Sequence, residues 1–203
     1  MAKTKKRVKR ARKEKVDLLI VNANELITLR GGSEKPRAGM QMQNLGVIRK
    51  GGLAVKDGRI VAVGKTSEVT KGFRAENVIS ASGKIVMPGF VDPHTHLVFA
   101  GSREDEFQMR VEGVSYMEIL DAGGGILKTV RETRRASAER LVEFGFKTLD
   151  IMLEHGTTTV EAKSGYGLTT KDELKILEVV KRLNQLHAVD VVPTFLGAHA
   201  IPR

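Results

Sequence analysis

From Phe90 onward the chain alternates strand-like and helix-like runs, and no other feature restricts its fold as strongly. FVDPHTHLVF reads as a strand, and ERLVEFGFKTLDIMLEHG then sets apolar residues at helical spacing and closes on Gly156, a good helix C-cap. TTTVEAKS follows as a second strand. TTKDELKILEVVKRLNQL is a second helix, opening with Thr170 and Glu173 in capping-box spacing, and DVVPTFLGAHA is a third strand. Strand, helix and strand in succession join parallel neighbours through crossovers, so the fold class is α/β, with helices outside a parallel sheet. A closed (β/α)8 barrel takes about 250 residues, whereas Pro88 to the end supplies 116. The expectation for 88–203 is therefore the first three βα units of a TIM-type barrel, incomplete and exposing its last strand edge and inner face.

Residues 16–87 have a different character. VDLLIVNANELITL, GGLAVKDGRIVAVG and ENVISASGKIVMPGF are short apolar runs broken by Gly and Asp, and they predict a small β-sandwich-like domain. Asp57-Gly58 suits a two-residue type I′ hairpin turn, whose central residues both take positive φ. RGGSEKPRAGMQMQNLG is polar and Gly-rich and reads as a long loop. Gly123-Gly124-Gly125 follows no strand and lacks the frame of a phosphate loop, so it reads as a flexible part of the connection between the first two barrel strands.

The formal charge of +10 invites a nucleic-acid reading, but the charge is concentrated at the start. Residues 1–15 hold nine Lys or Arg and one acid, which leaves 25 bases against 23 acids in the body. A block of like charge with no apolar partner is expected to be a disordered tail; a loose, salt-dependent contact with RNA, DNA or an anionic membrane is the sharper alternative. With no cysteine, any metal must be held by His and carboxylates, and a reducing compartment is expected. The basic start is not followed by a signal-peptide apolar region, and no long apolar run occurs elsewhere. The expectation is a soluble cytoplasmic protein with no membrane association; dimerisation is left open.

His94 and His96 stand two apart on a predicted strand and so project from one face, at the barrel end where catalytic groups gather. Two neutral imidazoles make half of a four-coordinate metal site, although a surface strand can carry two histidines by chance. Context narrows the choice. The run Pro88 to Leu97, PGFVDPHTHL, after a small β-domain carrying DGRIVAVG, resembles the amidohydrolase superfamily, whose composite fold joins a β-sandwich to a metal-bearing barrel. HTHLVFAGSR (94–103), GGGILKTVRETR (123–134), AKSGYGL (162–168) and FLGAHAIP (195–202) are similar, in order and spacing, to the imidazolonepropionase family, and the resemblance spans 16–203.

That resemblance implies metal-dependent hydrolytic opening of the 4-imidazolone-5-propanoate ring to N-formimidoyl-L-glutamate in histidine degradation. One zinc or iron ion per active site is implied, with His94 and His96 as ligands. It also implies that Arg103 grips the propanoate carboxylate and that Tyr166 and His199 bind substrate. Without the resemblance, Arg103 is a solvated loop residue, GYG a turn and His199 a core histidine. His155 and His187 read as helix C-terminal histidines interacting with the dipole. A third His ligand, a metal-binding Asp and an acid-base Glu are expected beyond Arg203, so the catalytic residues stay unassigned; Glu161 carries no sign of being a substitute. A 203-residue chain is then expected to be inactive alone. Two alternatives remain: a cytosine- or guanine-deaminase-like amidohydrolase, for which Arg103 has no carboxylate to hold, and a non-catalytic nucleic-acid-binding module using the basic tail.

Overall fold

The computed structural model describes residues 12–31 and 35–201, in two compact units that divide after Pro88. Of the basic tail expected over 1–15, residues 1–11 lie outside the described residues. Its last residues are not coil: Glu14–Lys15 form a short strand, β1. Lys15 meets Glu76 at 2.7 Å, Glu14 meets Lys56 at 2.8 Å, and Val16 is buried behind them. Mixed charge with an apolar anchor finds partners that a pure cationic run would lack.

The first unit continues with β2 (Leu18–Ile27), β3 (Val47–Lys56), β4 (Arg59–Lys65), α1 (Thr66–Gly72), β5 (Phe73–Arg74), β6 (Asn77–Ser80) and β7 (Ile85–Val86). Its main sheet has the order β4-β3-β2-β6, with β7 also on β2, while β1 pairs with β5. Asp57 and Gly58 take φ of 51° and 70°, as the type I′ turn between β3 and β4 requires. Among its described residues the polar stretch before β3 holds a 3₁₀ turn, Gly39–Gln43. Leu53 and Ala54 are consecutive in β3 and point to opposite faces. Leu53 packs with Ala23, Leu26 and Ala81, and Ala54 with Val16, Leu19, Val21 and Val69, so both faces are apolar, as in a sandwich.

In the second unit β8 (Phe90–Thr95) leads into α2 (Glu104–Val111), α3 (Tyr116–Asp121), α4 (Gly125–Arg135) and α5 (Ala138–Glu154). Then come β9 (Thr157–Lys163), α6 (Thr170–Leu186) and β10 (Asp190–Thr194). The strands are parallel in the order β8-β9-β10, so each crossover steps the same way around, as in the opening strands of a TIM-type barrel. Leu141 and Leu149 of α5 and Ile176, Val179, Val180 and Leu183 of α6 pack on Val160, Ala162 and Val191. Burying each of the larger side chains contributes roughly 1.5–3 kcal/mol. Glu161 and Lys163 alternate with Val160 and Ala162 and so occupy the other sheet face, the interior of a barrel. Among the described residues no helix is long and apolar enough to cross a membrane.

Three local expectations need correction. The N-cap of α6 is Thr169, whose hydroxyl accepts from the Asp172 N–H at 3.1 Å, so the capping pair lies one residue earlier than Thr170 and Glu173. The third strand ends at Thr194, because the Leu196 N–H turns aside to the Ser164 hydroxyl (3.0 Å); His199 sits in the turn beyond. Gly123-Gly124-Gly125 is the built start of α4: a Cβ on Gly124 would lie 2.7 Å from Ile119 and 2.9 Å from Glu106. There Glu106 Oε1 accepts the Gly125 N–H at 2.7 Å.

Candidate active site

The ends of the three parallel strands bring four rings together. Thr95 closes β8 by donating its hydroxyl to the Glu161 carbonyl at 2.6 Å, which leaves His94 as a strand residue and His96 as the first residue past the end. Their ring centroids lie 6.2 Å apart, edge to face. His96 then stacks on His199 at 4.4 Å with only 10° between planes, and Tyr166 leans on both, at 4.8 Å and 5.3 Å. Arg103, the N-cap of α2, joins His96, Thr129 and Tyr166 around a cavity of about 290 Å³. All five residues singled out in the sequence therefore fall in one region.

Electrostatics at this cluster favour the neutral forms of His96 and Tyr166. Burial lowers the His96 pKa, and the nearby His199, His94 and Lys163 lower it further against the opposing pull of Glu161. Burial raises the Tyr166 phenol, with Arg103 working the other way, so at neutral pH Tyr166 is a hydrogen-bond donor. Desolvation acts to raise the Glu161 carboxyl, but Lys163 at 2.5 Å, the Thr194 hydroxyl and the Thr95 N–H together hold it below its ordinary value. Glu161, passed over in the sequence for want of a context, thus ties all three strand ends.

Fit to a metal is partial. The buried His96 Nδ1 has no hydrogen-bond partner, an arrangement that a ligand to that nitrogen would resolve. Among the described residues, however, no group of three His, Asp or Glu side chains is placed to hold an ion. His94 and His96 by themselves supply two imidazoles, half of a four-coordinate set.

Two carboxylates that the sequence did not mark as functional support the pocket from outside. Glu106 is 2% exposed, and its Oε2 lies 4.0 Å from the guanidinium groups of both Arg103 and Arg110. That is ion-pair distance rather than a hydrogen bond. Glu173 holds the turn that carries Tyr166. The two glycines of that turn are required for packing: a Cβ on Gly165 would sit 2.7 Å from His199, and one on Gly167 2.5 Å from the Glu173 backbone. His155 and His187 lie elsewhere. His155 Nδ1 meets the Ile151 carbonyl at 2.8 Å, while His187 accepts the Val189 N–H and faces Asp150 with Nε2 at 3.2 Å.

No family model matches the chain. It is 54% identical over 190 residues to an imidazolonepropionase of Symbiobacterium thermophilum, covering 92% of this chain and 44% of that one. It is 52% identical over 189 residues to an imidazolonepropionase of Geobacillus kaustophilus, covering 91% and 45%. The chain thus spans less than half the length of these curated relatives. Among solved structures it superposes on a zinc-bound adenosine deaminase from Xanthomonas campestris with a TM-score of 0.55 at 20% identity, covering 91% of this chain and 43% of that one. This last likeness is one of fold.

Proposed function

We propose that the chain, 54% and 52% identical to two imidazolonepropionases over less than half of their length, is part of a protein of that family and forms the substrate-gripping half of an active site that hydrolyses 4-imidazolone-5-propanoate to N-formimidoyl-L-glutamate. The observation that carries this reading is the convergence of Arg103, His96 and Tyr166 on one cavity, with His199 stacked behind His96. The substrate has two recognisable parts, a carboxylate and a flat nitrogen ring. A guanidinium on the pocket rim can take the carboxylate by two parallel hydrogen bonds. Tyr166 offers a neutral phenol to a ring oxygen or nitrogen, and the flat faces of Tyr166 and the imidazoles suit a planar ring. His199 presents its Nδ1 to the Gly165 carbonyl at 3.1 Å, leaving Nε2 for substrate.

One zinc or iron ion, held by His94 and His96 with ligands from later barrel strands, would lower the pKa of a water to about 7 and so make hydroxide available at neutral pH. No residue of this chain is assigned the acid-base step. Freedom from cysteine accords with a reducing, cytoplasmic location. The test is ring opening by the protein at its native length, in the presence of Zn²⁺ or Fe²⁺, beside the Arg103→Met variant. Loss of one charge-assisted pair at a half-exposed site should raise KM by about 10–100-fold with kcat much less affected. An unchanged KM removes the carboxylate assignment and favours a substrate without one.

A further inference from the structure

We propose that Glu173 is a positioning residue of this pocket: its carboxylate holds the Gly165–Leu168 turn so that Tyr166 and His199 are set before any ligand arrives. For the identity of the ligand this rests on the function proposed above; the turn itself is independent of it. Glu173 lies in the first turn of α6 and is 3% exposed. The cap of that helix is already supplied by Thr169, so Glu173 is free for another task. Its Oε2 accepts the Gly165 N–H at 2.8 Å, and Oε1 accepts the N–H groups of Gly167 and Leu168, each at 2.7 Å.

The turn needs such a hold. Gly165 has φ of 114°, and Leu168 has φ of 55°, a left-handed conformation that leucine rarely adopts. Three N–H donors pointing to one spot would stand unpaired inside the protein without the carboxylate. Tyr166 lies between two of these donors, Gly165 and Gly167, so the backbone that carries its ring is held on both sides. The turn's carbonyls extend the connection: Gly165 O meets His199 Nδ1 at 3.1 Å, and Gly167 O accepts from Arg134 Nε at 2.6 Å. One buried carboxylate therefore sets both rings that pack on His96.

The test compares Glu173→Ala and Glu173→Gln with the parent protein at native length, by amide hydrogen exchange and by steady-state kinetics with 4-imidazolone-5-propanoate. In Glu173→Ala the Gly165, Gly167 and Leu168 amides should exchange at least about tenfold faster, while those of Leu149 and Val180 in the helical core stay slow. Glu173→Gln can keep an oxygen toward Gly167 and Leu168 but presents an NH₂ to Gly165, so only the Gly165 amide should accelerate. If the loosened turn is competent about a tenth of the time, KM rises about tenfold at nearly constant kcat. A purely structural role would instead lower kcat through loss of active protein, leaving KM alone. Unchanged exchange of the three amides, acceleration shared with the helical core, or an unchanged KM with a loosened turn would each overturn the proposal. If the parent protein does not turn over this substrate, the proposed function falls, and the amide pattern alone decides the role of Glu173.

Discussion

Gly145, in the middle of α5, is where two rules of helix stability give opposite signs. An interior Gly→Ala change normally gains about 1 kcal/mol, because alanine loses less backbone entropy. Here a Cβ would stand 2.6 Å from Leu183 Cδ1, and Leu183 is fully buried between α5, α6 and the sheet. Ordinary carbon contacts are about 3.5–4.0 Å, so the leucine must retreat by roughly 1 Å into a packed core. Overpacking of this kind costs about 1–3 kcal/mol, and because Leu183 is 0% exposed within the core cluster the upper part of that range applies. The expected net effect of Gly145→Ala is destabilisation by about 1–2 kcal/mol. Leu183→Val alone should cost roughly 1 kcal/mol for one methylene. It also removes the obstructing atom, so the double variant should be more stable than the two single effects predict, by about 1 kcal/mol or more. The assay is denaturant unfolding followed by far-ultraviolet circular dichroism, since the chain has no tryptophan and five of its six described α-helices lie in this unit. A stabilised Gly145→Ala, or additivity within about 0.5 kcal/mol, would refute the packing argument.

Gly58 is the complementary case: its φ is 70° and nothing lies within 4 Å of where a Cβ would stand, so Gly58→Ala should cost only the left-handed conformation, about 1 kcal/mol in thermal or denaturant unfolding. In a Tyr116→Phe variant of the 203-residue chain, kept free of added metal, Tyr166 is the one tyrosine left among those residues, and its phenolate absorbance should rise above the ordinary pH of 10.0. Because its folded pKa is raised, its contribution to stability is complete below pH 10.0 and is lost as pH rises through the folded value; titration at or below 10.0 would contradict its burial. Glu161 has the opposite sign. Its folded pKa is lowered, so its contribution is present above 4.5 and is lost as pH falls through the folded value. Glu161→Gln should flatten that acid limb and cost roughly 1–3 kcal/mol at neutral pH by leaving Lys163 unpartnered, whereas an acid limb of unchanged slope would remove Glu161 from the strand-end network.

Periodicity made the second unit legible, because apolar spacing reports which face is buried: the α5 and α6 residues at helical spacing are those that meet Val160, Ala162 and Val191. The Asp57-Gly58 turn was legible for an equally local reason, since few residue pairs accept positive φ at both positions. The same local rules misplaced the cap of α6 by one residue and carried the third strand too far, because both ends are decided by distant partners, Glu173 turning inward and Ser164 capturing Leu196. The site divides along the same line. His94, His96, Arg103, Tyr166 and His199 could be listed as motif residues, yet their meeting depends on strand order, which puts segments about a hundred residues apart beyond the ends of β8 and β10, on either side of β9. Glu106, Glu161 and Glu173 were not legible as site residues. A carboxylate in a helix start or a strand looks like surface charge until its acceptors are seen aimed at backbone N–H groups or at a neighbouring cation inside the protein. The glycines were the available hint: Gly124, Gly165 and Gly167 each leave room for a backbone to approach something, and at Gly124 and Gly167 that something includes the oxygen of one of these acids. Glycine-rich segments and an unexplained Glu within about twenty residues to either side are thus worth reading as two halves of one device, the glycine making the space and the carboxylate filling it with an acceptor.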